Sequence, residues 1–168
     1  MKSQAGVTLI ESMICVALVA IVLSLSVSGF SYLKESQHQQ ITRESLVSAL
    51  ASARQAAMHK RQSVYMCASS DGSTCGNDWS KGWITYLDGD NNSKPDTVLI
   101  AYSNKSSSNG KIKPVRNTTK LAFQPNGIIT GGSTGFQVCS SSLTSENQKI
   151  TIGLLGQIKK ESTNVACS

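Results

Sequence analysis

The feature that most constrains this chain is a run of nineteen residues, 12–30, without a charged side chain. At about 1.5 Å of rise per residue, a helix of this length nearly crosses a hydrocarbon layer roughly 30 Å thick. Residues 7–11 before it are also apolar apart from Thr8 and Glu11, so we predict a membrane segment over 7–30. Beyond residue 62, where the predicted helical segment ends, about 105 residues remain for a folded domain, enough for one modest core.

The N-terminus does not have the order of a secretory signal peptide, in which the cleavage site follows the apolar stretch. Here a polar leader, residues 1–6, ends in Gly6 before the apolar stretch begins at Val7. Cleavage after Gly6 would therefore leave the apolar segment on the mature protein. Glu11 lies inside that segment, where a carboxylate costs about 3 kcal/mol and is usually kept only where it has a partner. We expect such a partner for Glu11.

Residues 6–11, Gly-Val-Thr-Leu-Ile-Glu, resemble the prepilin cleavage motif of type IV pilins and type II secretion pseudopilins. In that family a peptidase cuts after the glycine and methylates the new N-terminus, and the glutamate meets the N-terminal amine of a neighbouring subunit. The resemblance implies cleavage between Gly6 and Val7, methylation of Val7 and an assembly role for Glu11. Val7 departs from the more common phenylalanine. The alternative is a plain single-span anchor with Glu11 near the membrane interface.

No proline precedes Pro95, and apolar residues recur at helical spacings as far as Met58, so we predict one helix from Val7 to about Lys60 within a segment 7–62. Residues 63–168 form the predicted globular β-domain. Strands are predicted at 63–68, 82–87, 97–102, 121–124, 136–139 and 149–155. Asn126-Gly127 predicts a hairpin turn, and residues 103–110 an exposed loop. The fold class is α+β, a long N-terminal helix packed on a small antiparallel sheet.

Stretches of this domain resemble, more specifically, the FimT, FimU and GspH group of minor pilins and pseudopilins. They are Trp-Ser-Lys-Gly-Trp at 79–83, Phe-Gln-Pro-Asn-Gly at 123–127, Phe-Gln-Val-Cys at 136–139 and Ile-Thr-Ile-Gly at 150–153. The resemblance implies a minor type IV pilin of the pilus priming or tip complex; an H-type pseudopilin of type II secretion is an alternative. It also implies storage in the bacterial inner membrane, then display on the pilus with the C-terminal domain outside. The implied partners are other pilins, the prepilin peptidase and the membrane.

Five cysteines fall into two groups. Cys15 lies in the apolar run, whereas Cys67, Cys75, Cys139 and Cys167 lie in the polar domain, where an even number indicates a disulfide framework. Three pairings are possible. We favour Cys67 with Cys75 and Cys139 with Cys167, because each pair brackets a turn-rich stretch and neither has the spacing of a zinc site.

The net charge of +6 is concentrated in the last third of the chain. Residues 1–103 carry eight basic and eight acidic side chains, whereas residues 104–168 carry eight basic ones against Glu146 and Glu161. Such an excess favours acidic partners, DNA among them; the alternative is a solvated basic face. The candidate DNA-binding residues are Lys111, Lys113, Arg116, Lys120, Lys149, Lys159 and Lys160.

The resemblance also bears on DNA. FimT proteins linked to natural transformation bind DNA through a glycine- and arginine-rich segment that corresponds to residues 156–160 here. Gln157 stands where the first arginine would be, and lysines replace the later one, so point charges take the place of the bidentate guanidinium. DNA binding for uptake is therefore an alternative function, with contacts to phosphate that do not read base sequence.

No catalytic, cofactor or metal site is predicted. Residues 88–92, Asp-Gly-Asp-Asn-Asn, begin like an EF-hand loop, but Ser93 replaces its glycine and Leu99 its glutamate, so an EF-hand is excluded and a polar turn is favoured over a looser calcium site. The two tryptophans are predicted to be core. His38 and His59 are too far apart on the helix to share a site, and neither belongs to a nucleophilic arrangement.

Overall fold

The structure, a computed structural model, describes residues 8–104, 111–139 and 147–163, without the side chains of residues 25–36. It divides into two compact units, residues 1–37 and 38–168. Helix α1 is Leu9–Lys60. The strands are β1 Val64–Ala68, β2 Gly82–Leu87, β3 Thr97–Ser103, β4 Lys111–Pro114, β5 Lys120–Phe123, β6 Thr134–Cys139, β7 Asn147–Ile152 and β8 Ile158–Thr163, with a 3-10 turn at Trp79–Lys81 before β2.

In the first unit, α1 begins with a capping arrangement. The Thr8 hydroxyl accepts a hydrogen bond from the Glu11 amide at 3.4 Å, and the Thr8 carbonyl accepts one from the Ser12 amide at 3.2 Å. A threonine followed three residues later by a glutamate is a common N-terminal signature, because the first amides of a helix lack partners within it. Thr8 therefore begins the helix just after the predicted cleavage point.

Every side chain from Thr8 to Ser24 is exposed. Within the part of the chain that the structure describes, no helical stretch is both long and apolar enough to cross a membrane. The predicted span continues through residues 25–30, whose side chains lie outside that part. The membrane segment over 7–30 stays a prediction.

In the second unit, the strands form two antiparallel sheets rather than the single sheet predicted. Sheet A has the order β3-β2-β1-β5, and sheet B has the order β4-β6-β7-β8. The two sheets and the last turns of α1 share one core. Small residues on the helix, Ala49, Ala53 and Ala57, allow its close approach, and the core is completed by residues including Leu50, Met66, Phe123, Phe136 and Ile150.

Arg54 on α1 connects the turns of both sheets. Its Nε donates to the Gly127 carbonyl at 3.1 Å, in the turn after β5, and its Nη2 donates to the Leu155 carbonyl at 2.9 Å, in the turn before β8. Gly156 lies in the same cluster with φ +72°, and a Cβ there would lie 2.2 Å from the Gly127 carbonyl oxygen. This position therefore excludes any side chain.

The predicted helix is confirmed from Leu9 to Lys60, where it ends before Arg61, which has φ 54°; its predicted start at Val7 lies outside the described residues. The strand predicted at 82–87 has those bounds, and those at 63–68, 97–102, 121–124 and 136–139 differ from the observed strands by one or two residues. The one predicted at 149–155 ends three residues early, at Ile152, because residues 153–156 form a turn. The turn at Asn126-Gly127 is present. Strands β4 and β8 were not predicted, and most of the predicted 103–110 loop lies outside the described residues.

Candidate functional sites

The first candidate site is the start of α1. Glu11 is the third residue of the helix and is exposed, and its neighbours Leu9, Ile10 and Met13 are 78%, 67% and 64% exposed. Among the described residues Glu11 has no ion-pair partner. Its carboxylate is thus available to a group outside the chain. Gly6 and Val7 lie outside the described residues, so the cleavage site stays a prediction.

The second candidate site is the face of sheet B that points away from α1, here called the outer face. Successive side chains of a strand alternate between faces. On β7 Ile150 and Ile152 belong to the core, so Lys149 and Thr151 lie on the outer face. Across the ladder Lys149 pairs with Glu161 and Thr151 with Lys159, which places those two on the same face.

Strand β4 adds two further cations to the outer face. Ile112 is 3% exposed and belongs to the core, so Lys111 and Lys113 on either side of it lie opposite. Arg116 follows this strand and lines a cavity together with Lys149. Five of the seven predicted DNA-binding residues therefore gather at one face, and Glu161 is the only carboxylate that the described strands place there.

The structure separates the other two cations from this set. Lys160 faces the helix, where its Nζ lies 2.8 Å from Glu44 Oε2. Hydrogen bonds from Lys160 and then Arg43 lower the pKa of Glu44. Sequence reasoning missed Glu44, because β8 had not been assigned and its register with the helix was unknown.

Lys120 lies on sheet A. Its Nζ is 4.0 Å from Asp88 Oδ2 and 4.3 Å from the centre of the Tyr65 ring. Both the carboxylate and the aromatic face attract the ammonium group. Lys120 and Lys160 are thus paired within the chain and do not belong to the outer face.

The Cys67–Cys75 disulfide is present, with a Cα–Cα distance of 5.6 Å. The loop that it closes is ordered by Asp71, whose carboxylate accepts hydrogen bonds from Thr74, Ser73 and Ser69; these bonds, the Thr74 hydroxyl first, lower its pKa. Cys139 is disulfide-bonded. Cys167 lies outside the described residues, so its pairing stays a prediction. Cys15 is unpaired and exposed.

The acidic turn between β2 and β3 brings carboxylate oxygens of Asp88, Asp90 and Asp96 within 4.8 Å of one another. Each of the three accepts a hydrogen bond from the turn itself: Asp88 from the Ser93 amide, Asp90 from the Asn92 amide and Asp96 from the Gly89 amide. These bonds hold the three carboxylates in a polar turn, whereas Asp88 Oδ1 is buried and has no hydrogen-bond partner among the described residues.

The tryptophans are core residues, as predicted. Trp79 is 1% exposed and donates to the Thr118 carbonyl at 2.9 Å, and Trp83 is fully buried against Tyr102, with ring centres 4.2 Å apart. His59 is exposed and His38 half-buried.

Comparison with known proteins identifies the family. A family model described as type II transport protein GspH matches residues 42–156, more than half of the chain. The chain belongs to the GspH family. A second model, the prokaryotic N-terminal methylation motif, matches residues 1–27, which include Gly6, Val7 and Glu11. No curated protein matches this GspH-family chain.

Two solved structures of the type IV minor pilin FimU from Pseudomonas aeruginosa, in different crystal forms, share its fold. The first has a TM-score of 0.67 at 20% identity, and the match covers 81% of this chain and 99% of the crystallised FimU chain. The second has a TM-score of 0.63 at 21% identity and covers 77% and 99%. The predicted fold class is therefore confirmed, and the protein is a minor pilin or pseudopilin of the type IV pilus or GspH type. The family and fold are those of structural pilin subunits.

Proposed function

We propose that this chain is a minor subunit of a type IV pilus, in the priming or tip complex, and that it is cut after Gly6 and methylated on Val7. Support comes from one observation, the exposed apolar start of α1, which carries a Glu11 without an ion-pair partner among the described residues and lies within the methylation motif. An apolar surface of this extent needs cover from lipid or from like helices. Packing among other pilins supplies that cover, and a neighbour's N-terminal amine neutralises Glu11.

The test compares Glu11→Ala with Glu11→Asp and with Ser24→Ala, a change on the same exposed helix. Glu11→Ala should remain in the inner membrane and be absent from sheared pili, because it lacks the carboxylate that pairs with the N-terminal amine of a neighbouring subunit. The two other variants should enter pili, as measured by immunoblot of the sheared fraction. Normal incorporation of Glu11→Ala would refute the role of the carboxylate.

Processing is tested separately by mass spectrometry of the protein from its native membrane. A mature chain that begins with N-methylated Val7 is expected. An intact Met1 would contradict the proposal. The alternative of an H-type secretion pseudopilin is distinguished by a deletion strain, which should lose pili while it keeps secreting.

Binding of the DNA backbone is a second candidate function, favoured by the five cations at the outer face of sheet B. Among the described residues Arg116, Lys149 and Lys159 form no ion pair, so they are available to phosphates. Lysine and arginine contacts to phosphate release counterions, which makes affinity depend steeply on salt. Five such contacts predict a log-log slope of about −4.5 on duplex DNA.

The test uses the full chain purified in detergent and a duplex oligonucleotide. The triple variant Arg116→Gln, Lys149→Gln, Lys159→Gln should reduce the slope by about 2.7, since each lost contact removes about 0.9. Lys94 is an exposed lysine in the turn between β2 and β3 of sheet A. The variant Lys94→Gln is therefore the control for a change of net charge alone, and it should reduce the salt slope only slightly. Absence of salt-dependent binding by the unchanged chain at low ionic strength would exclude this function.

A further inference from the structure

A cavity of about 190 Å³ opens near the outer face of sheet B. It is lined by residues 115–116 and 133–135 together with Lys149 and Thr151. One wall is the segment after β4, which continues the pairing with β6 because the Val115 amide donates to the Gly135 carbonyl at 2.9 Å. Gly135 lies opposite Thr151 in the ladder, and a Cβ there would lie 2.4 Å from the Ile150 carbonyl oxygen, so β6 and β7 approach each other closely at this wall of the cavity. The cavity can hold several water molecules, at about 30 Å³ each, or one tetrahedral ion.

The polar lining of this cavity is suited to an anion. It includes the two cationic side chains Arg116 and Lys149 and hydroxyl groups from Ser133, Thr134 and Thr151, and none of its lining residues is acidic. Among the described residues neither cation has an ion-pair partner. Glu161, opposite Lys149 in the ladder, is the nearest carboxylate by register and competes for that lysine.

An unsatisfied hydroxyl provides a second, independent observation. The Thr151 Oγ1 atom is buried and has no hydrogen-bond partner among the described residues. A buried hydroxyl without a partner is destabilising, so native structures usually supply one. Thr134, by contrast, has a partner, since its Oγ1 lies 3.3 Å from Thr118 Oγ1.

Arg116 can reach the ligand because glycines flank it. A Cβ built on Gly132 would lie 3.9 Å from Arg116 Nη1, and Gly131 and Gly132 have φ +87° and +89°. Neither glycine therefore places a side chain against the guanidinium. A planar guanidinium binds two oxygens of one phosphate at once, which a lysine does not.

We propose that this cavity is a binding site for a single phosphate group, held by Arg116, Lys149 and the Thr151 hydroxyl. The proposal deepens the second candidate function, since a phosphodiester of a nucleic-acid strand would enter here while Lys113 and Lys159 flank it on the same face. Phosphate binding can be measured without DNA, so the phosphate-site proposal and the proposed DNA-binding function can be refuted independently.

The test titrates the full chain in detergent with inorganic phosphate and follows backbone amide chemical shifts. Saturable shifts at Gly135 and Thr151 are expected. Thr151→Val and Arg116→Gln should each weaken binding about tenfold or more, as loss of a charge-assisted hydrogen bond does. Thr119→Val and Lys94→Gln, both exposed and outside the cavity, should leave phosphate binding unchanged.

Thr151→Val also distinguishes a ligand role from a structural one. Since Oγ1 has no partner in the free protein, its removal should not lower the thermal unfolding midpoint without phosphate, but should abolish much of the rise in that midpoint on phosphate addition. A fall in the midpoint without phosphate, equal binding by the variant, or shifts that map away from the cavity would each overturn the proposal.

Further probes separate the possible sources of the phosphate. Dimethyl phosphate represents a nucleic-acid backbone, and glycerol 3-phosphate represents a lipid headgroup. Chemical-shift changes at the cavity residues with dimethyl phosphate would support a nucleic-acid phosphodiester as the ligand. Changes with glycerol 3-phosphate alone would refute that interpretation. If an oligonucleotide binds while inorganic phosphate shifts nothing in the cavity, the outer face binds DNA and the cavity proposal is wrong.

Discussion

At the scale of single residues, Tyr86 combines complete burial with an unsatisfied hydroxyl. It is 0% exposed, stacks on Tyr65 with ring centres 5.6 Å apart, and its Oη has no hydrogen-bond partner among the described residues. Burial first, and the nearby Asp88 carboxylate second, raise the pKa of Tyr86 to about 12. The ionised form is therefore disfavoured in the folded protein.

This pKa shift predicts a loss of stability at high pH. A folded-state pKa above the ordinary value of 10 contributes stability that is complete below pH 10 and is lost as pH rises from 10 to 12. In Tyr86→Phe the free energy of unfolding should fall less steeply between pH 10 and 12. At neutral pH it should change by less than about 1 kcal/mol, because the removed hydroxyl had no hydrogen-bond partner. Denaturant unfolding at several pH values measures both effects. Tyr102→Phe, the same change on β3, should keep the pH dependence.

Neighbouring residues also show what sequence reasoning cannot resolve. Lys159 and Lys160 are adjacent, yet one lies on the outer face and the other pairs with Glu44. Their separation follows from the register of β8, which depends on long-range pairing with β7. The cluster of positive charge was predictable from composition, whereas its division between two faces was not.

At the scale of elements, the two unpredicted strands are the edges of sheet B. Strand β4 reads Lys-Ile-Lys-Pro and β8 reads Ile-Lys-Lys-Glu-Ser-Thr, so neither has the apolar alternation that predicts a strand. Charged residues and proline are common on edge strands, because they discourage pairing with other chains. The inner strands were predicted because both sides of each are paired and their apolar residues are buried.

The turn before β8 provides a prediction at this scale. Gly156→Ala should destabilise the protein by about 1–2 kcal/mol for its left-handed backbone and by about 1–3 kcal/mol more for the clash with the Gly127 carbonyl. Gly131→Ala is the matched control, since it has φ +87° but nothing within 4 Å of its Cβ, and should show the backbone penalty alone. Chemical unfolding followed by circular dichroism compares the two. Equal decreases in the free energy of unfolding for the two variants would mean that the turn relaxes and removes the clash with the Gly127 carbonyl.

At the scale of the whole molecule, the start of α1 and the outer face of sheet B lie in different compact units and differ in their chemistry. The assembly segment is apolar with one carboxylate, whereas the outer face is basic and polar. The prepilin-like motif predicts the first site from the sequence alone, and the cleavage point and the role of Glu11 stay predictions. The cavity was not predictable, because Arg116, Lys149 and Thr151 come from three separate segments that only the sheet brings together.

This separation predicts that the two functions can be lost independently. The triple variant Arg116→Gln, Lys149→Gln, Lys159→Gln should appear in sheared pili in unchanged amount, since none of these residues lies on the assembly segment. Glu11→Ala, purified in detergent, should keep the salt dependence of DNA binding of the unchanged chain. Immunoblots of sheared pili and binding titrations supply the measurements. Loss of the triple variant from pili would place the outer face in a subunit contact instead.

The hydrogen bonds of Arg54 have a consequence for how the domain folds. They join residues 73 and 101 positions apart along the chain, so each turn acquires its Arg54 partner only when the helix packs on the sheet of that turn, and the complete pair of bonds needs both sheets. Contacts of such large sequence separation form late and slow the search for the native state. The two sheets are therefore expected to complete folding in one concerted step, in which docking of the helix is the final event.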